Sequence, residues 1–298
     1  MSKEIFFDVD GGSLAALDHG GAGRPVLLVH GTGHNAAAWE AVAAGLVADH
    51  RVVAVDLRGH GHSSADSVNA EQYWRDLAVV VAGLGWERPL LVGHSTGGYA
   101  VTAVVAAGLV EAAGICVVDG LVLDDRAGGA AALAEIRTPE MAGQLRRAFG
   151  YGRRFDAGQG DAGQGDAGQR DAWIEKQVAG IATDWLNAGA DPELVRAVSV
   201  RHFIGAVRRP ALEEVMVTAT ASPDAPIFPS VDVYEQVSCP ITIVLPEQGF
   251  YAPRRAEVAA VVAAAPGRCL VDMPGGHNVV MTHPDLVTSA VRNATLGG

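Results

Sequence analysis

A chain of 298 residues is long enough to bury a sizeable core, and α/β folds fill this length as a single unit. The formal charge of −12, from 34 acidic against 22 basic residues without a basic cluster, repels a phosphate backbone, so nucleic acid is not an expected partner. The start Met1-Ser2-Lys3-Glu4 lacks the pattern of a signal peptide, and the longest apolar stretch, around Ala100 to Val110, is shorter than the ~18 residues of a membrane span. A cytoplasmic protein with no membrane partner is expected.

Short apolar runs, each followed by a Gly-rich or polar turn and a segment of helical spacing, recur along the chain. The first two, Ile5 to Val9 and Leu14 to His19, flank an Asp10-Gly11-Gly12 turn. Further strands are predicted at Val26 to His30, Val52 to Asp56, Leu90 to Gly93, Ile115 to Asp119, Ile241 to Leu245 and Leu270 to Met273. Helices are predicted at Ala36 to Ala48, Ala70 to Leu84, Gly97 to Ala112, Arg254 to Ala265 and Pro284 to Ala294. The alternation implies an α/β fold, a mostly parallel central sheet flanked by helices. Residues 1–120 and 239–298 form this core. Between them, 121–238 hold no convincing strand and read as a largely helical insertion over the carboxyl edge of the sheet, with helices at Pro139 to Ala148, Ala172 to Asn187 and Pro192 to Val200. Within it, Asp156 to Arg170 is a five-residue repeat, Asp-Ala-Gly-Gln-Gly twice and then Asp-Ala-Gly-Gln-Arg, too polar and Gly-rich to order itself and therefore expected as a flexible loop. Cys116, Cys239 and Cys269, an odd number in apolar runs, read as buried free thiols. No metal or other cofactor is expected.

Gly93-His94-Ser95-Thr96-Gly97 follows a strand and opens a helix, which is the spacing and the context of a serine held on a sharp turn. A serine hydroxyl is a poor nucleophile unless a base takes its proton. Of the ten histidines, His277 in Pro274-Gly275-Gly276-His277-Asn278 is best placed, because a loop after the last apolar run delivers it to the carboxyl edge. His60 and His62 read as loop residues, His94 points away from the turn, and His19, His50, His202 and His283 read as surface or element-end residues. His30-Gly31-Thr32-Gly33, after the strand ending at Val29, can aim the Thr32 N–H at a substrate carbonyl oxygen. With the N–H of Thr96 it would form an oxyanion hole.

Taken in order, His30-Gly31-Thr32-Gly33, Asp56-Leu57-Arg58-Gly59-His60-Gly61-His62-Ser63, Gly93-His94-Ser95-Thr96-Gly97-Gly98 and Pro274-Gly275-Gly276-His277 resemble the signature segments of the α/β-hydrolase superfamily, serine-nucleophile branch. The resemblance implies that 121–238 is a helical cap and that Asp56-Leu57-Arg58-Gly59 is a structural turn. It also exposes a departure: where many members carry Gly-Glu-x-Asp-x-x-x-Pro, this chain reads Pro246-Glu247-Gln248-Gly249-Phe250-Tyr251-Ala252-Pro253, with glycine in place of the triad aspartate. Other members, zearalenone-type lactonases among them, carry the acid after the strand that follows the nucleophile helix. That strand here ends Val117-Val118-Asp119-Gly120, which makes Asp119 the expected acid, with Glu247 the alternative and Asp124 and Asp125 behind it.

The expected activity is that of a serine hydrolase, a carboxylesterase or lactonase acting through an acyl-enzyme on a medium-sized, partly apolar small-molecule ester or lactone. A carbon–carbon bond hydrolase or cofactor-free oxygenase using the same His–Asp pair stays open, as do a non-enzymatic small-ligand receptor and assembly as a homo-oligomer.

Overall fold

Successive side chains of a strand point to opposite faces of its sheet, and the apolar runs of this chain are buried on both. In chain order the strands are β1 (Lys3–Val9), β2 (Gly12–Gly20), β3 (Arg24–Val29), β4 (His50–Val55), β5 (Leu90–His94), β6 (Gly114–Val118), β7 (Phe203–Ile204), β8 (Val207–Arg208), β9 (Ile241–Gln248) and β10 (Arg268–Gly276). The helices are α1 (Glu40–Leu46), α2 (Gln72–Gly83), α3 (Thr96–Ala106), α4 (Arg126–Ile136), α5 (Pro139–Phe149), α6 (Gly165–Gly180), α7 (Pro192–Arg201), α8 (Leu212–Thr218), α9 (Arg255–Ala263), α10 (Val279–Thr282) and α11 (Pro284–Leu296). This computed structural model describes residues 2–149, 165–205 and 207–296.

Eight strands make one sheet in the order β1-β2-β4-β3-β5-β6-β9-β10. β1 and β2 pair antiparallel, as do β2 and β4, and every pair from β4 to β10 is parallel. Leu27, Val29, Val53, Val55 and Leu91 face α2, α3 and α9, whereas Val26, Leu28, Val52, Ala54 and Val92 face α1 and α11. The two-sided cover explains why these strands are apolar at every position rather than at alternate ones.

Several elements depart from the sequence reading. The helix predicted to run to Ala112 stops at Ala106, because Gly108 turns left-handed (φ 67°) and the Gly108 and Leu109 N–H groups close back on the Val105 and Val104 carbonyls. The apolar residues beyond it masked that stop. The insertion between β6 and β9 contains, besides α4 to α8, the two-stranded β7–β8 hairpin, whose strands are too short to show a period. In the repeat, 156–164 lie outside the described residues, while 165–170 form the first turns of α6 rather than a loop. Cys116 is buried, but Cys239 is only partly so and Cys269 is exposed, since it lies on the edge strand β10. His50 and His202 are buried, not surface residues.

A buried ion-pair cluster helps to fasten the insertion to the core. Arg201, at the end of α7, reaches Asp56 at 2.8 Å and Glu4 at 2.8 Å. Asp56 is fully buried after β4, and also accepts the N–H groups of Ala36 (2.6 Å) and His62 (2.8 Å). Breaking so buried a pair by removing one partner leaves an uncompensated charge. Among the described residues no helix is long and apolar enough to cross a membrane.

Candidate active site

β5 passes directly into α3 through Ser95, whose backbone has φ 53° and ψ −125°. For a residue with a Cβ such a conformation costs on the order of 1–3 kcal/mol and persists only where the surroundings impose it. They do: a Cβ at Gly93 would overlap the Gly97 carbonyl, and one at Gly97 would overlap the Val29 carbonyl, so the turn closes only with glycine at both positions. The result is a hydroxyl raised above the sheet at the amino end of α3, where the helix dipole favours developing negative charge.

Hydrogen bonds continue the parallel ladder past the strand ends. The Ser95 N–H donates to the Val118 carbonyl (3.0 Å) and the Asp119 N–H to the Val244 carbonyl (3.0 Å), fixing the exits of β5, β6 and β9 side by side. Asp119 is fully buried with φ 42°. On the next strand, the register slips between Met273 and Gly276, a bulge that re-aims the chain just before His277. The two side chains meet at 2.6 Å, His277 Nδ1 donating to Asp119 Oδ2. The same carboxylate accepts the N–H groups of Phe250 (2.8 Å) and Tyr251 (3.4 Å).

The glycine at 249 belongs to this arrangement. A Cβ there would lie 2.6 Å from both carboxylate oxygens of Asp119. The space that a side chain would fill after β9 is thus taken by a carboxylate arriving from β6. Glu247 is exposed on the end of β9. Asp125 caps α4 by accepting the Gly128 N–H, and Asp124 pairs with Arg254 at 2.8 Å. The structure therefore brings Ser95, His277 and Asp119 to one edge and leaves Glu247, Asp124 and Asp125 with other surroundings.

Thr32, after β3, and Thr96, after Ser95, are tied through their hydroxyls at 2.7 Å, which holds the two turns carrying their N–H groups together. Two histidines that the sequence reading left without a role support the first turn. His30 donates from Nδ1 to the Gly31 carbonyl (2.8 Å) and accepts the Leu57 N–H at Nε2 (3.0 Å). His60 donates to the Arg58 carbonyl (2.7 Å) and accepts the Gly33 N–H (3.3 Å). Both rings must be neutral to accept, and burial pushes both down to about 3. His34 and His94 are also kept neutral by burial, His34 at about 4 and His94 well below 6.5.

Ser95, His277, Thr32, Thr96, His34 and His94 open onto a cavity of about 460 Å³. Gly31, Thr32, Ser95, Thr96 and His277 form its polar floor. The insertion supplies apolar walls, among them Leu133, Ile136, Leu145 and Val215, with Leu121 and Val122 at its start. No Lys, Arg, Asp or Glu lines the cavity among the described residues, and the described residues contain no group of three or more His, Cys, Asp or Glu placed to hold a metal ion. Phe250 and Trp185 stand at its rim. Phe250 stacks on His277 with centroids 3.8 Å apart, and Trp185 stacks on Phe250.

Residues 26–290 match the Alpha/beta hydrolase family. The chain belongs to that family. Protein phosphatase methylesterase 1 of Mus musculus is 36% identical over 109 residues, covering 34% of this chain and 28% of that protein, so the chain matches less than a third of this curated relative's length. Among solved structures, E-2-(acetamidomethylene)succinate hydrolase superposes with a TM-score of 0.74 at 21% identity, over 98% of each chain. The enol-lactonase from Burkholderia xenovorans LB400 superposes with a TM-score of 0.66 at 18% identity, over 98% of this chain and 100% of that one. At such identities the likeness is one of fold. An alpha/beta hydrolase places its ligand beyond the carboxyl ends of the parallel strands, and the cavity lies there.

Proposed function

We propose that this alpha/beta hydrolase is a serine hydrolase that cleaves a carboxylic ester or lactone with an uncharged, apolar acyl portion, and that residues 121–238 act as its cap. The observation that carries the reading is the buried His277–Asp119 pair beside a serine held in strained geometry at the floor of one cavity. Ser95 Oγ attacks the carbonyl carbon while His277 Nε2 takes its proton. Asp119 keeps Nδ1 protonated, and so leaves Nε2 free to accept. The oxygen that gains negative charge lies against the N–H groups of Thr32 and Thr96, a donor of this kind being worth about 3 kcal/mol. His277 then returns the proton to the departing alkoxide, and a water repeats the sequence on the acyl-enzyme. A methylesterase among the sequence relatives and an enol-lactonase among the structural neighbours are consistent with an ester or lactone bond.

The walls choose the acyl group. A carboxylate carried against the described walls of this cavity, which hold no cationic side chain, loses hydration and gains no partner there. A p-nitrophenyl hexanoate should therefore be hydrolysed with a kcat/KM at least about 100-fold above that of the p-nitrophenyl half-ester of adipic acid, the same chain ending in a carboxylate. Ser95→Ala should abolish hydrolysis of the hexanoate. Equal rates on the two esters would refute the uncharged-acyl assignment. Turnover that survives loss of the serine would favour the cofactor-free oxygenase reading.

A further inference from the structure

We infer that Phe250 is a positioning residue for His277, holding the imidazole through its ring and holding Asp119, the partner of that imidazole, through its backbone. The inference rests on the role proposed above for His277 as the base. Phe250 and His277 lie nearly parallel, with centroids 3.8 Å apart and an interplanar angle of 15°. His94 lies 4.7 Å away at 41°, and its Nε2 is 2.9 Å from the His277 carbonyl oxygen. Burial keeps His94 neutral. The imidazole is thus in contact with two rings and anchored at Nδ1, leaving Nε2 as its working atom. Trp185 from the insertion stacks on Phe250 (5.9 Å, 25°) and steadies the outer ring.

Burial does not account for an aromatic side chain here, since Phe250 is 54% exposed and Trp185 60%. Charge does. When Ser95 gives up its proton the imidazole becomes a cation, and an aromatic face at this separation attracts a cation through its quadrupole. The imidazolium forms as Ser95 Oγ gives up its proton, so the attraction grows toward the transition state. The Phe250 N–H bond to Asp119 (2.8 Å) places the same residue on both members of the pair. A turn that carries no acid of its own, with glycine at 249, would in this way orient both the relocated acid and the base.

The test varies the electron density of the ring without changing its packing. Phe250 is replaced by mono-, di- and trifluorophenylalanine, and by Leu and Tyr, in the full chain, and kcat and KM are measured on p-nitrophenyl acetate, whose acyl group is too short to fill the cavity. The expected result is a stepwise fall in kcat along the fluorine series, reaching about 10-fold at three fluorines with KM nearly constant. Phe250→Leu should fall at least as far, and Phe250→Tyr should remain near wild type. A kcat that stays flat along the series while Leu alone lowers it would overturn the inference and leave Phe250 a packing residue. A wild-type protein that hydrolyses no ester would instead remove the hydrolase reading itself, and the inference with it.

Discussion

Asp119→Asn is expected to lower kcat by about four orders of magnitude while KM and the fold stay close to wild type. Three donors converge on this carboxylate, from His277, Phe250 and Tyr251. An amide offers one acceptor oxygen for all of them, must turn its own N–H₂ toward one of the donors, and has no charge to balance the imidazolium. Glu247→Gln, at an exposed position on the end of β9, is expected to change kcat by less than about threefold, as surface substitutions away from a site do. Steady-state kinetics of the two variants on one neutral ester decide the matter. The reverse ranking would return the acid to the turn after β9, and a mild effect from both would mean that His277 works without an anionic partner.

The second large effect is on stability. His30 and His60 are held at about 3 and His34 at about 4, and His94 and His202 are lowered in the same direction, in each case chiefly by burial. An unfolded chain binds protons at these histidines near the ordinary value of 6.5, whereas the folded chain does not. Below that pH the unfolded state holds more protons, so the stabilisation is complete above pH 6.5 and is lost progressively as the pH falls toward about 3. By pH 5 each of the first three forfeits on the order of 2 kcal/mol, and together they approach the 5–15 kcal/mol that keeps a typical domain folded. Glu214 and Asp76, raised by burial, act in the opposite direction, and each is partly offset by a hydrogen bond it accepts, from the Ser67 N–H and from Arg58. Urea unfolding should therefore give a plateau between pH 7 and 8 and a steep fall between 6.5 and 5. A flat profile down to pH 5 would show that these rings take up protons without cost.

How far the sequence predicts this architecture follows from what each feature depends on. The interior strands are legible because the sheet there is covered on both faces and the runs Val26–Val29, Val52–Val55, Leu90–Val92 and Ile115–Val118 are apolar at every position. The turn at Ser95 is legible because only glycine fits at Gly93 and Gly97. The Asp119–His277 contact spans 158 residues of chain, and it is suggested only by the resemblance to family members that carry the acid after this strand, together with the departure at Gly249. By contrast, the stacked rings of Trp185, Phe250 and His277 come from three separate segments, and no local pattern records their meeting. The same holds for the buried histidines, since one that supports a turn looks like one in a solvated loop until the packing around it is known. The repeat tail at 165–170 joins α6 although its composition favours a loop.

The central claim, that one serine of this chain is a nucleophile made reactive by its surroundings, is tested most directly by a fluorophosphonate. An activated hydroxyl displaces fluoride from phosphorus, His277 takes the proton, and the protein gains the mass of one phosphonyl group. Peptide mapping of the folded protein after treatment should place a single adduct on Ser95, with Ser95→Ala unlabelled and His277→Ala labelled far more slowly. An adduct on another serine, or none on folded protein, would contradict the account.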